Sequence, residues 1–250
     1  QVGDLYALGM DSVRLNNEGC KALAEDLAKI RNAKRADFTS IIAWMHEGIA
    51  GPFFDSQVMA DLKHSTVNML YFSQGGLGLG DRDYYLENDE STVKIRKAYS
   101  DYIARVFELV GNKKGAAKKM AKNVMDIENA LASVAMSREE TRDYSKLYNI
   151  VSVADLKKTY ANINWDVYFS SLNLKNVDKV CVFQLKSLAK ANELLGTLKE
   201  DAIIDYLQFK YIDAAANYLS DDFVQANFDM YSKALSGMKV MQPRWKRALN

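Results

Sequence analysis

Histidine is scarce in this 250-residue chain, which has only His46 and His64. His46 and Glu47 open like a His-Glu-x-x-His zinc motif, but Ala50 stands where the second histidine belongs. That motif works because two imidazoles one helical turn apart share a face, and a catalytic zinc usually takes three protein ligands. The second ligand is missing, so the pair predicts no zinc site. Cys20 and Cys181 are far apart and form no Cys-x-x-Cys pair. Each reads as a structural thiol, and a single disulfide between them stays open.

A second stretch has unusual wording. Gly75-Gly76-Leu77-Gly78-Leu79-Gly80 is followed by Asp81-Arg82-Asp83 and Tyr84-Tyr85-Leu86. A dinucleotide loop fails here, because Asp81 occupies the third glycine position after Gly76 and Gly78. No Gly-Lys-Ser/Thr follows for a phosphate loop. Four glycines in six positions instead predict a forced bend. Asp81 or Asp83 then caps a helical turn that buries Tyr84 and Leu86.

Ser137-Arg138-Glu139-Glu140-Thr141-Arg142-Asp143 is the third candidate. Carboxylates and arginines do acid–base work, but no histidine or thiol accompanies these. Ser137 and Glu140 fit a capping box. Arg142 and Asp143 are expected in a buried or half-buried ion-pair knot between helices. Across the chain, then, no catalytic residue, no cofactor-binding residue and no metal ligand is expected.

The elements around these residues are mostly helical. Two prolines in the whole chain, with abundant Ala, Leu, Lys and Glu, favour helix. Basic and acidic residues number 33 and 32, a net charge of +1. That balance lacks the basic excess a nucleic-acid surface needs to replace counterions. No run of about 18 apolar residues suggests a membrane span. No signal peptide is visible, and the chain opens on Gln1, which suits a mature product or an excised fragment. No linker composition divides it, and no solenoid repeat appears.

Helices are expected at 4–14, 18–31 and from Asp37 to Gly48. Residues 53–60 and 66–72 read as two strands joined by a polar turn, the main β element. Helix 90–110 carries Ile95, Tyr99, Tyr102, Val106 and Leu109 at helical spacing. Helix 114–136 shows a narrower seam of Met120, Val124, Ile127, Leu131 and Val134. Its lysines, with Lys113, lie off that seam on a solvated face. Ser152 caps a helix through Tyr160, Trp165 to Leu172 forms a short apolar face, and Val177–Phe183 reads as a brief strand. Helices at 184–197, 199–219 and 221–236 follow, the middle one striped by Ile204, Leu207, Tyr211, Ala215 and Tyr218. Pro243 opens a last helix. The expected architecture is mostly α: nine or ten helices in one multi-helical lobe with one short β-hairpin.

Gly76–Tyr85 resembles the Gly-Leu-Gly-Leu-Pro-Asp-Arg-Asp-Tyr-Tyr signature of the neprilysin/endothelin-converting-enzyme family of zinc metallopeptidases, including its bacterial oligopeptidase-type members. Gly80 replaces the family's proline. Leu70-Tyr71-Phe72-Ser73-Gln74 leads into it as in bacterial members. Glu139-x-x-Arg142-Asp143 with Tyr148-Asn149 resembles the next family block, and Trp165-x-x-Tyr168-Phe169 the one after. Pro243-Arg244-Trp245-Lys246-Arg247 is similar to the block that ends the family's N-terminal region. Ala248 stands where vertebrate relatives carry a cysteine, so that disulfide is not expected.

The resemblance implies that residues 1–250 form the helical outer lobe of a two-lobed zinc endopeptidase. It implies zinc in the full-length parent and a catalytic lobe, with the zinc ligands, outside this chain. The implied partners are that lobe and peptide substrates, and the implied location is extracytoplasmic. The lobe would cap the cleft and limit substrate size. The alternative is a stand-alone helical binding module without enzymatic activity.

Overall fold

The computed structural model describes residues 2–48 and 50–249. Among them are fourteen α-helices and four strands. The chain opens with α1 (Val2–Met10), α2 (Ser12–Glu18), α3 (Ala24–Arg31) and α4 (Phe38–Glu47). The two helices expected before residue 31 are broken where side chains prefer caps. Asp11 accepts from the Arg14 amide at 3.0 Å and starts α2, and Gly19, at a φ of 59°, stops it.

The expected hairpin is present as β1 (Phe54–Ala60) and β2 (Asn68–Gln74), antiparallel from Phe54↔Gln74 to Ala60↔Asn68. The sheet is larger than that hairpin. β4 (Lys179–Val182) lies parallel to β2, and β3 (Ile150–Ser152) pairs antiparallel with β4, giving the order β1-β2-β4-β3. Three residues are too few to show a period, so β3 leaves no trace in the sequence. Cys181, fully buried on β4, points its Sγ at the Leu147 carbonyl. It and Cys20 are both free thiols, so the disulfide left open by the sequence is not formed.

After the glycine-rich bend come α5 (Asp83–Leu86), α6 (Glu90–Leu109) and α7 (Lys114–Ala132). α8 (Tyr144–Leu147), α9 (Val153–Thr159) and α10 (Trp165–Ser171) follow, with α9 beside β3 and α10 packed on α4. α11 (Leu185–Thr197), α12 (Glu200–Ala215), α13 (Asp221–Asn227) and α14 (Arg244–Arg247) complete the chain, with α13 running on into a π-helical Phe228–Leu235.

α6, α7 and α12 pack on one another at the centre. On α7, Val124, Ile127 and Leu131 are buried as their spacing requires, and Lys113, Lys114, Lys118, Lys119 and Lys122 are exposed. On α12 the expected stripe is only part of the buried surface. Ile203, Tyr206, Leu207, Gln208, Phe209 and Ile212 are all buried, while Tyr218 is exposed. A helix apolar on most sides is a core helix, and any charge on it needs a partner.

Candidate functional site

Among the charges on α12 are Lys210 and Asp213, and α7 carries Glu128, which is fully buried. They meet beneath the Gly75–Gly80 loop. Glu128 accepts from the Tyr85 hydroxyl at 2.5 Å, the Tyr99 hydroxyl at 3.0 Å and the Gly78 amide at 3.1 Å. Lys210 Nζ lies 3.8 Å from Glu128 and 3.5 Å from the Gly76 carbonyl. Asp213, one turn along α12, accepts from the hydroxyls of Tyr102 at 2.6 Å and Tyr231 at 2.8 Å. Tyr206 donates to the Gly76 carbonyl at 2.9 Å and accepts from the Phe53 amide at 3.0 Å.

Burial pushes the Glu128 and Asp213 carboxyls up, and Lys210 pulls both back down. Burial pushes Tyr85, Tyr99, Tyr206 and Tyr231 well above the ordinary phenol range. These hydroxyls therefore remain donors at neutral pH. The carboxylates accept from several donors each, so the cluster is a brace that fixes the loop from below. Above it opens a cavity of about 350 Å³ whose lining includes Asp55, Gly75, Gly76, Lys210 and Asp213.

The glycines are fitted to this brace. A side chain at Gly75 would press on the Asp55 carboxylate. One at Gly78 would overlap the Tyr99 hydroxyl. Gly80 has a φ of 75°, which proline, held near −65°, cannot adopt. Asp81 accepts from the Asp83 amide at 3.0 Å just ahead of the following turn, whose N-cap residue is Arg82 with no side-chain cap. That turn buries Tyr85 rather than the expected Leu86, which is 37% exposed, and Tyr84 is only half-buried.

The charged cluster after α7 also differs from expectation. Ser137 and Glu140 form the reciprocal capping box, at 2.8 and 3.2 Å. Arg142, however, is exposed and belongs to no ion pair among the described residues. Asp143 caps α8 through the Ser145 amide and pairs with Lys146 at 3.1 Å. The ion pairs that tie this segment to the loop are Arg138 with Asp81 and, at 3.9 Å, Glu140 with Arg82. Beyond Ala132 the chain leaves the helix, and helical spacing no longer says which arginine reaches the loop.

His46 lies at the end of α4 with both ring nitrogens engaged. Nδ1 is 2.7 Å from the Tyr168 hydroxyl and Nε2 is 3.2 Å from the Pro52 carbonyl. The ring packs edge-on against Phe54 and Tyr168. Among the described residues no three of His, Cys, Asp and Glu converge as metal ligands. Burial lowers the His46 pKa from 6.5 to about 4. The unfolded chain binds this proton first, so His46 makes stability fall as pH drops from 6.5 towards 4. We expect the stability difference between the parent and His46→Gln to change by at most about 3 kcal/mol across that window. Urea melts at pH 7 and pH 4.5 check it, and a difference independent of pH refutes it.

The family model for the N-terminal region of peptidase family M13 matches residues 1–250. The chain belongs to peptidase family M13. This is the neprilysin/endothelin-converting-enzyme family that the sequence blocks resemble. Endothelin-converting enzyme 1 of Homo sapiens is 28% identical over 200 residues, covering 78% of this chain and 26% of that protein. Neutral endopeptidase of Lactobacillus helveticus is 26% identical over 247 residues, 98% of this chain and 37% of that protein. The zinc metalloprotease Zmp1 of Mycobacterium tuberculosis in its open state superposes with a TM-score of 0.92 at 27% identity, over 99% of this chain and 38% of that one. Its inhibitor complex gives 0.91. The chain thus spans 26% to 38% of the length of these relatives. In this M13 chain Gly78 and Tyr85 of the signature converge on Glu128, a residue the sequence reading passed over. The available signal was a lone acid on the buried side of the α7 seam, between Val124 and Leu131.

Proposed function

We propose that this chain is the non-catalytic outer lobe of an M13 zinc endopeptidase, capping the catalytic cleft and limiting the size of peptide admitted. The match of the whole chain to the family's N-terminal region, with its likeness to a zinc metalloprotease, carries the reading. Several features support it. The described residues offer no converging metal-ligand set, and Glu128 and Asp213 are each held by two tyrosine donors. What they build is a stiff wall, because a close-packed interior deforms little. The zinc, its ligands and the peptide-cutting chemistry belong, in this proposal, to the part of the relatives' length that this chain does not cover. Peptides and that catalytic lobe are its partners, and its place is outside the cytoplasm. Among the described residues no helix is long and apolar enough to cross a membrane.

Elemental analysis tests the division of labour. The longer protein carrying this lobe is expected to hold one zinc per chain and to lose peptidase activity on chelation. The 250-residue chain, washed with chelator, is expected to hold none and to cut no peptide. Stoichiometric zinc in the 250-residue chain, or peptidase activity lost with His46→Gln, contradicts the reading.

A further inference from the structure

A second cavity, of about 410 Å³, lies away from the glycine-rich loop's own cavity, between the segment that follows α7 and the start of α11. Arg82, Lys146, Lys186 and Glu140 are its charged lining, two more cations than anions. Glu140 is already engaged by the Ser137 amide. Lys186 is exposed and has no carboxylate partner among the described residues. Arg82 donates through one terminal nitrogen to the Ala135 carbonyl at 2.6 Å, but its Nε is buried without a hydrogen bond. The Asp83 carboxylate, 3.6 Å away, is beyond hydrogen-bonding range.

The helix end supplies further donors. The α11 first turn holds no acidic residue and no side-chain cap. The natural cap, Gln184, has its amide oxygen engaged by the Gln74 amide at 2.8 Å. The Leu185 and Lys186 amides have no acceptor among the described residues, whereas Ser187 and Leu188 already bond Gln184. An uncapped helix N-terminus, a partly exposed guanidinium that has carboxylates only at 3.6 and 3.9 Å, and a free ammonium are together the donor set of a carboxylate site.

The rest of the lining narrows the class. Val134, Met136, Phe183 and Leu185 are apolar, so a bare inorganic anion would leave them wet. Asn149 donates through its amide nitrogen to Val182 and Phe183, and its Oδ1 accepts from no donor among the described residues. That oxygen suits a peptide N–H. We propose that this cavity binds the C-terminal residue of a peptide. The carboxylate lies at the α11 N-terminus against Lys186 and Arg82. The side chain rests on Met136 and Phe183, and the N–H faces Asn149. The proposal does not depend on the chain's being part of a peptidase.

The test is calorimetric titration of the 250-residue chain with acetyl-phenylalanine, acetyl-phenylalaninamide, hydrocinnamate and inorganic phosphate. Acetyl-phenylalanine is expected to bind, and its amide to bind about tenfold more weakly for loss of the charge-assisted bonds. Hydrocinnamate, which lacks the peptide N–H, is expected to be weaker than acetyl-phenylalanine, and phosphate weaker still. Lys186→Gln, at an exposed position with an unchanged melt, is expected to weaken acetyl-phenylalanine several-fold. Arg82→Gln is the stronger test if it folds, and Lys186→Gln decides if it does not. No binding up to ~10 mM, at the weak limit for a small ligand, overturns the site. Equal binding of acid and amide, or an unchanged affinity in Lys186→Gln, also overturns it. Hydrocinnamate as tight as acetyl-phenylalanine overturns the peptide assignment, and phosphate equally tight overturns the apolar one.

Discussion

Gly78→Ala is expected to destabilise the lobe by about 3–5 kcal/mol, combining overpacking with loss of a hydrogen bond to a buried charge. The added methyl would overlap the Tyr99 hydroxyl, and Tyr99 is fully buried on α6 with no room to retreat. Displacing that ring breaks its bond to Glu128, and shifting the loop instead pulls away the Gly78 amide. Either way the buried carboxylate loses a donor. For a domain of this size the melting temperature should fall by about 10 °C. Gly115→Ala is the control. Gly115 lies in the first turn of α7 with open space around its Cα, so alanine there should be neutral or slightly stabilising. Thermal melts of the two variants decide the matter. Equal melting temperatures would mean that the loop is not braced as described.

Lys210→Met should be comparably severe. The Lys210 side chain is 11% exposed and is the cation nearest the fully buried Glu128. Its charge also acts on Asp213. Removing one partner of a buried charge set costs about 3–5 kcal/mol, because the remaining charge is stranded. The pH dependence carries the diagnosis. Both acids have folded pKa values raised by burial, so the folded state holds their protons more tightly than the unfolded state. Such groups favour folding below the raised folded value and disfavour it as pH rises through that range. Without Lys210 the folded values rise further, so the deficit should be largest at neutral pH and shrink on acidification. Adding Glu128→Gln should restore part of the loss, since the amide needs no cation. A deficit that is the same at pH 5 and pH 7 would mean that Lys210 acts through packing alone.

Much of this was legible in the sequence, and the limits follow from how each signal arises. The α7 seam was readable because helical period and burial coincide along nineteen residues. The hairpin was readable because β-branched and aromatic runs flank a polar turn. β3 was not, since its place is set by pairing with β4 rather than by its own three residues. The four-residue α8 is similarly too short to show a stripe, and the two helices expected before residue 31 are three, so more helices stand than the nine or ten expected. The glycine-rich bend was found, but its function as a lid over Glu128 required knowing that α6, α7 and α12 meet beneath it. Arg142 was assigned to an ion-pair knot on composition, and the capping turn at Glu140–Arg142 sends it to solvent while Arg138 reaches Asp81. The free α11 N-terminus left no mark, because Gln184 looks like a cap until Gln74 is seen to occupy it.

We propose that this chain, as the outer lobe of a longer M13 peptidase, sets the size of what that peptidase cuts. The most direct measurement is the ratio of kcat/KM for a short peptide to that for an unfolded chain and a folded protein bearing the same cleavage sequence. The ratios are compared between the intact longer protein and a version lacking residues 90–236, with zinc content confirming an intact catalytic part. The intact enzyme is expected to cut the short peptide and reject the folded protein. The version without the lobe is expected to keep its activity on the short peptide and to lose that discrimination. If both reject the folded protein and cut the short peptide equally well, the lobe is not the filter.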